Sequence, residues 1–190
     1  MSNPPSDRPT WSGVNHLALV TDDMDATTRF WHGVLGAPLV ATIGTDTFRH
    51  YFFKVGEGQT IAFFEYTGVQ LEHWSKPAGI PFPRASQFDH LSLNLPDEDA
   101  LEALRTRLID HDCEVTEVVD HGFIRSVYFS DPSGIALEAS CWTTDIGPDD
   151  YEAPGRFHDA EPVAAVRELI TDGELTSTPR THLVDDIVTD

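Results

Sequence analysis

The 190-residue sequence has little cysteine, little positive charge and no long apolar run. Cys113 and Cys141 are its two thiols, which excludes a disulfide scaffold and a Cys-x-x-Cys metal site and leads us to expect a reducing, cytoplasmic location. No stretch approaches the roughly 18 apolar residues of a membrane span. Residues 1–10 lack the apolar segment of a signal peptide and are expected to be flexible.

The charge balance excludes further classes of partner. Lys and Arg total 12 against 32 Asp and Glu, which gives a net charge of −20. Binding to nucleic acid or to an anionic membrane surface requires clustered positive charge, so neither partner is expected. Hydrophobic residues nevertheless make up 40% of the chain and include 11 Phe, which is enough to build a core.

The chain repeats one order of predicted elements: strand, helix, strand, strand, strand. His16 and His90 occupy equivalent points of the two copies, 74 residues apart, which indicates a duplicated supersecondary unit. The first copy has predicted strands at 14–21, 38–43, 48–55 and 60–66, with a helix from Asp22 or Asp23 to about 35. The second has predicted strands at 88–95, 114–119, 123–130 and 135–141, with a helix from 96 to about 109.

These elements define a predicted domain plan. It consists of a flexible terminus at 1–10, modules at 11–67 and 86–141, a proline-containing linker at 68–85, and an acidic tail at 142–190 with one helix at 161–171.

Strand alternation places three polar side chains on the side of the sheets opposite the helices. His16, His90 and Glu138 share this front face, and they can converge if the two sheets curve around one concavity. Two imidazoles and one carboxylate form the ligand set of non-haem Fe(II) oxygenases. A single front-face histidine is more often an ordinary polar residue, but the equivalent positions in a duplicated module favour metal binding.

These residues resemble those of the vicinal oxygen chelate superfamily, which includes glyoxalase I, bleomycin-resistance proteins and type I extradiol dioxygenases. The resemblance covers residues 13–141. It implies an α+β fold of two βαβββ modules that form a curved mixed-sheet cup around a metal site, with the helices outside and His16, His90 and Glu138 as ligands. The fourth ligand of glyoxalase I falls at Ala62 here, which cannot bind metal, so members with three ligands are favoured.

A second signature resembles the extradiol dioxygenases in particular. It runs from His121 through Tyr128 and the Asp-Pro-Ser-Gly turn at 131–134 to Glu138. The resemblance implies that His121 and Tyr128 hydrogen-bond substrate or oxygen near the metal. One departure is clear: Gln59 stands where catechol-cleaving members carry an acid/base histidine. Either another group moves the proton, with His50 as a candidate, or the substrate needs no such base.

The leading hypothesis is therefore an Fe(II)-dependent extradiol-type dioxygenase that takes O₂ and a small catecholic or enolic substrate. Mn(II), Ni(II), Co(II) and Zn(II) remain alternatives to iron, and a homodimer is expected. Phe52, Gln59, Phe64 and Tyr128 are the expected substrate contacts. A non-redox isomerase, lyase or thiol transferase of the same superfamily, or a binding protein of the bleomycin-resistance kind, remains open.

Overall fold

The computed structural model describes residues 11–81, 83, 88–143 and 159–180. These residues belong to two compact units, one containing residues 11–143 and the other residues 159–180. The expectations for residues 1–10, for part of the linker and for most of the acidic tail lie outside the described residues.

Both copies of the repeat fold as predicted in their essentials. The elements of the first copy are β1 (His16–Val20), α1 (Met24–Thr28), a π-helix (Arg29–Val34), β2 (Leu39–Gly44), β3 (Phe48–Gly56) and β4 (Gln59–Tyr66). Those of the second are β5 (Leu91–Asn94), α2 (Glu98–Asp110), β6 (Val119–Asp120), β7 (Ile124–Ser130) and β8 (Ala136–Trp142).

Each copy forms one four-stranded mixed sheet with the same strand order. The orders are β1-β4-β3-β2 and β5-β8-β7-β6, so the first strand of each module lies at an edge and pairs in parallel with the last. In this register His16 lies beside Thr60, and Ser92 lies beside Glu138. The predicted α+β fold of two modules is confirmed.

The back of each sheet is buried against the helices, as the alternation predicts. Trp31 is fully buried and contacts Phe53 and Phe63, with ring centroids 6.2 and 5.5 Å apart. Large aromatic rings buried together contribute about 0.5–1.5 kcal/mol per pair beyond their area burial. This packing on the back leaves the front faces for polar and aromatic side chains that the core does not use.

The first helix has the predicted extent, but only its first part is α-helical. Asp23 caps α1 by accepting a hydrogen bond from the Ala26 amide at 2.9 Å, as expected of an N-cap. The chain then widens into the π-helix, in which the Leu35 amide bonds the Phe30 carbonyl at 2.9 Å. The wider turn allows the adjacent Phe30 and Trp31 side chains both to be buried.

The strand predicted at 114–119 is wrong in extent. Residues 119–120 form β6, and Val115 makes one isolated bridge to Phe129. The Thr116 hydroxyl accepts a hydrogen bond from the Tyr128 amide at 3.0 Å, while the Thr116 amide donates to the Tyr128 carbonyl at 3.0 Å. A side chain therefore replaces part of the backbone ladder, and the strand is not continuous.

The described part of the tail contains one helix, α3 (Ala164–Asp172), close to the predicted 161–171. It ends at Gly173, which has a φ of 78° in the left-handed region that glycine adopts without strain. None of the helices in the described residues has the length and apolar character that crossing a membrane requires.

Candidate functional site

Glu138 lies at the centre of a polar network on the front of the second sheet. Its neighbours in β8, Leu137 and Ala139, point into the core, so alternation turns Glu138 to the front, where it is 7% exposed. One carboxylate oxygen, Oε2, lies 2.8 Å from His90 Nε2. The other accepts a hydrogen bond from the Ser126 hydroxyl. Both oxygens of this buried carboxylate are thus held in place.

His90 immediately precedes β5 and is oriented from both sides of its ring. Nδ1 donates to Asp89 Oδ1 at 2.6 Å, which fixes that nitrogen as the donor and turns Nε2 toward Glu138. A carboxylate behind a histidine ring is the arrangement that orients metal-binding histidines in many proteins.

Tyr128 and His121 extend the network. The Tyr128 hydroxyl lies 3.4 Å from Glu138 Oε1 and 2.9 Å from His121 Nε2. Burial and the nearby Glu138 charge raise the pKa of Tyr128, so the phenol stays protonated and able to donate. The structure therefore brings His90, Glu138, Tyr128 and His121 together.

His16 does not join this group within the chain. Its side chain is exposed, its Nδ1 lies 2.7 Å from the Asn15 amide oxygen, and its ring contacts Phe52 at 5.9 Å. Among the described residues, no cluster of three His, Cys, Asp or Glu side chains is arranged to hold a metal ion. The expected convergence of His16 with His90 and Glu138 in one chain is therefore not observed among the described residues.

His50 is buried on the front of the first sheet between two aromatic rings. It stacks on Phe64 at 3.6 Å and contacts Phe52 at 4.3 Å between ring centroids. Its Nε2 has no hydrogen-bond partner among the described residues. Burial, together with the nearby His16, lowers the pKa of His50, so the imidazole is held neutral. A neutral ring with an open nitrogen can accept a proton or a hydrogen bond.

The predicted substrate contacts divide between the two sheets. Phe52 and Phe64 flank His50 on the first, and Tyr128 belongs to the network of the second. The Gln59 amide packs instead against the backbone of Gly13 and Gly56 at the edge of the first sheet. Its position does not support a role in contacting substrate, because Gln59 has the opposite strand parity to Thr60, the partner of His16.

Sequence reasoning did not identify three residues of the network. Asp89 adjoins His90 in the sequence, and Ser126 shares the strand face of Tyr128. Their positions in the sequence therefore gave a weak indication that they belong to the site. Lys76, which pairs with Asp89 at 2.6 Å, comes from the linker, where no periodicity indicates its position.

A cavity of about 780 Å³ lies between the linker and the second module. Tyr128 and Lys76 line it beside apolar side chains that include Phe30, Ile80 and Val115. Its size suits a small organic ligand, and Tyr128 connects it to the polar network.

The donor atoms present fit a divalent transition-metal ion. An imidazole nitrogen and a carboxylate oxygen, His90 Nε2 and Glu138 Oε2, lie 2.8 Å apart, and both atoms are of the kind that would hold such an ion. Both are held from behind, by Asp89 and Ser126 respectively. His16 Nε2 has no hydrogen-bond partner among the described residues and is available as a third donor.

Comparison with known proteins agrees with the two-module fold. The sequence model of the glyoxalase/bleomycin resistance protein/dioxygenase superfamily matches residues 13–139. None of the curated protein sequences matches the chain.

Three solved structures illustrate the similarity. A glyoxylase/bleomycin resistance protein/dioxygenase domain from Frankia sp. EAN1pec has a TM-score of 0.60 and 25% identity, covering 70% of this chain and 99% of that one. A lactoylglutathione lyase from Agrobacterium tumefaciens has a TM-score of 0.52 and 25% identity, covering 70% and 96%. The fosfomycin resistance protein FosX from Listeria monocytogenes, complexed with Mn(II), has a TM-score of 0.50 and 20% identity, covering 68% and 92%.

Proposed function

Because the chain belongs to the glyoxalase/bleomycin resistance protein/dioxygenase superfamily, we propose that it is a metal-dependent dioxygenase of the extradiol type. Its substrate is a small catecholic or enolic molecule with two neighbouring oxygens. The observation that carries this proposal is the hydrogen-bonded series His121–Tyr128–Glu138–His90, in which a phenol and an imidazole lie beside the candidate ligands.

Fe(II) is the proposed ion, held by His90, Glu138 and His16. When bound, such an ion would offer open coordination positions to a chelating substrate and to O₂, and would let electrons pass from the substrate to O₂. The chain's contribution is to present imidazole nitrogens and one carboxylate, with Asp89 and Ser126 fixing the orientation of His90 and Glu138.

Tyr128 and His121 act on the substrate. The protonated phenol donates a hydrogen bond to a substrate oxygen as negative charge develops there, and His121 Nε2 maintains the hydroxyl's orientation from 2.9 Å. His50, neutral and buried among aromatic rings, accepts the proton that a catechol or enol loses on binding. His50 thereby takes the role of the acid/base histidine of catechol-cleaving members, whose position is occupied by Gln59 in this chain.

The charges beside the site favour a neutral substrate. The Lys76 ammonium already donates to Asp89 Oδ2 at 2.6 Å, to the Pro77 carbonyl at 3.1 Å and to the Asp89 carbonyl at 3.5 Å. An ammonium has three donors, so none is left for an anionic group of a substrate.

We also propose that a second copy completes the site. His16 is exposed and lies outside the His90–Glu138 group in its own chain, so a homodimer that brings β1 of one copy to β8 of the other supplies the missing ligand. Two equivalent sites then form by two-fold symmetry.

The experiment that tests the function is oxygen uptake with a panel of catechols and enols. We expect a chelator to abolish uptake, anaerobic Fe(II) to restore it, and Zn(II) to fail. Glu138→Ala should lose both metal and activity, whereas Glu117→Ala, which removes an exposed carboxylate paired with Arg105, should lose neither. Fe(II)-loaded protein that consumes no oxygen with any of these substrates would contradict the proposal.

A second candidate is a non-redox enzyme of the same superfamily. The 25% identity to the lactoylglutathione lyase structure favours it. In that case the protein would be active with Ni(II), Co(II), Mn(II) or Zn(II) and would consume no oxygen. Purified protein that binds no metal would instead favour a binding protein of the bleomycin-resistance kind.

A further inference from the structure

The linker places a buried lysine behind the candidate metal ligands. Lys76 is 9% exposed, and its ammonium lies 2.6 Å from Asp89 Oδ2. A buried charge is costly unless it is paired, and this pair is closed by two further backbone acceptors. The linker thus places the Lys76 ammonium beside Asp89, the residue that precedes His90.

Asp89 divides its two oxygens between the linker and the site. Oδ2 accepts from Lys76, while Oδ1 accepts from the Gly79 amide at 2.7 Å and from His90 Nδ1 at 2.6 Å. Three donors from the linker and from His90 therefore hold the Asp89 carboxylate in one rotation, with Oδ1 beside the imidazole.

Attachment of the linker does not depend on this ion pair. The Ser75 and Ser130 hydroxyls lie 3.1 Å apart, and the Trp74 backbone packs directly on Gly134. The Asp89 side of the pair is half exposed, and ion pairs open to solvent contribute little to stability. The position of Lys76 is therefore explained better by orienting the Asp89 carboxylate than by attaching the linker to the second module.

We propose that Lys76 and Asp89 are positioning residues for His90: the lysine fixes the Asp89 carboxylate, which holds His90 Nδ1–H so that Nε2 faces the metal beside Glu138. This inference rests on the proposed metal-dependent function. It adds that the linker between the modules, and not only the two sheets, determines the geometry of the site.

The test combines two measurements on the full-length protein. The first is the histidine side-chain ¹⁵N–¹H spectrum of the metal-free protein, with His90 assigned by His90→Gln. We expect a protected Nδ1 proton on His90 in the wild type. In Asp89→Ala that proton should exchange rapidly and the ring nitrogens should shift, and in Lys76→Met the same change should occur to a smaller degree.

The second measurement is the dissociation constant for Mn(II) by titration calorimetry. Removing a carboxylate behind a metal-bound histidine costs about 10–100-fold in affinity, which we expect for Asp89→Ala. Lys76→Met should weaken binding less. The matched controls, Asp25→Ala in an exposed ion pair of α1 and Lys54→Met on β3, should leave both readouts unchanged.

The outcomes distinguish the positioning role of Lys76 and Asp89 from the proposed metal-dependent function. His90 signals unchanged in both Asp89→Ala and Lys76→Met would overturn the positioning role, even if the melting temperature fell, because a purely structural role lowers stability without altering the ring. If the wild type binds no Mn(II) while the two variants still show the shifted His90 signals, the metal-dependent function is contradicted and the positioning of His90 is supported.

Discussion

Tyr128 is the residue at which the candidate site and the cavity meet, since its hydroxyl contacts His121 and Glu138 and its side chain lines the cavity. Tyr128→Phe removes one hydrogen-bond donor and keeps the ring. We expect kcat to fall about 100-fold, within the range of such donors, while the Mn(II) dissociation constant changes less than about threefold.

The control for this variant is Tyr51→Phe. It removes a hydroxyl from the face of β3 opposite to the one that carries His50, and it should leave kcat intact. A Tyr128→Phe protein that keeps its kcat would rule out the donor role of the phenol.

His50 gives a prediction about stability and pH. Its pKa in the folded protein is lowered by burial and by His16, so the unfolded chain binds more protons as the pH falls below about 6.5. The free energy of unfolding should therefore decrease on going from pH 7 to pH 5. His50→Phe keeps the aromatic stacking and should flatten part of this decrease.

The measurement is urea unfolding at several pH values, compared with His32→Phe, an exposed histidine on the π-helix. An unchanged pH dependence in His50→Phe would show that the ring is not held neutral.

At the scale of elements, the β7–β8 turn joins the second sheet to the linker. Gly134 has a φ of 83°, and a Cβ there would lie 2.5 Å from the Trp74 carbonyl oxygen. Gly134→Ala thus meets both backbone strain of about 1–2 kcal/mol and a clash of similar size. We expect the free energy of unfolding to fall by about 3 kcal/mol.

The duplicated fold provides the matched control. Gly58 occupies the equivalent turn of the first module with a φ of 68°, and nothing lies within 4 Å of a Cβ built there. Gly58→Ala should cost only the strain of about 1–2 kcal/mol. Equal losses in the two variants, measured by urea unfolding, would show that the contact with Trp74 is not rigid.

The elements themselves were largely predictable, because local patterns determine them. Alternation identified seven of the eight strands. Asp23 marked the start of α1, and the duplicated histidines marked the first strand of each module. The strand at 114–119 was overestimated because a Thr116 side-chain hydrogen bond replaces ladder pairing, which alternation cannot reveal. The π-helix was missed because its cause is the tertiary burial of Phe30 and Trp31.

The site was predictable only where strand parity decides it. Glu138 and Tyr128 face the same side because both follow the alternation of their strands. Lys76 and Asp89 join the network through the linker, which has no periodicity to read. The distance between His16 and His90 depends on how two sheets pack, and no local pattern encodes it.

At the scale of the whole molecule, the two sheets contribute unequally to the proposed site. The second sheet carries two candidate ligands, His90 and Glu138. The first sheet carries one, His16, because the position that could hold a further ligand is Ala62, which pairs with Ala18. If the donors meet only between two copies, each copy needs its partner's other sheet. Activity should then depend on protein concentration near the dimer dissociation constant.

Complementation between two inactive variants tests this arrangement in full. His16→Ala and Glu138→Ala proteins should each be inactive, but in a mixed dimer one of the two sites has all its ligands intact. Random exchange of subunits makes half of the dimers mixed, so an equal mixture should recover about a quarter of the wild-type activity per protomer. Sites formed within single chains recover nothing on mixing, because every chain then lacks a ligand of its own site. Activity assays on subunits mixed after mild dissociation distinguish the two arrangements, and a mixture with Glu117→Ala in place of one variant, expected to keep half of the wild-type activity, controls for losses during dissociation.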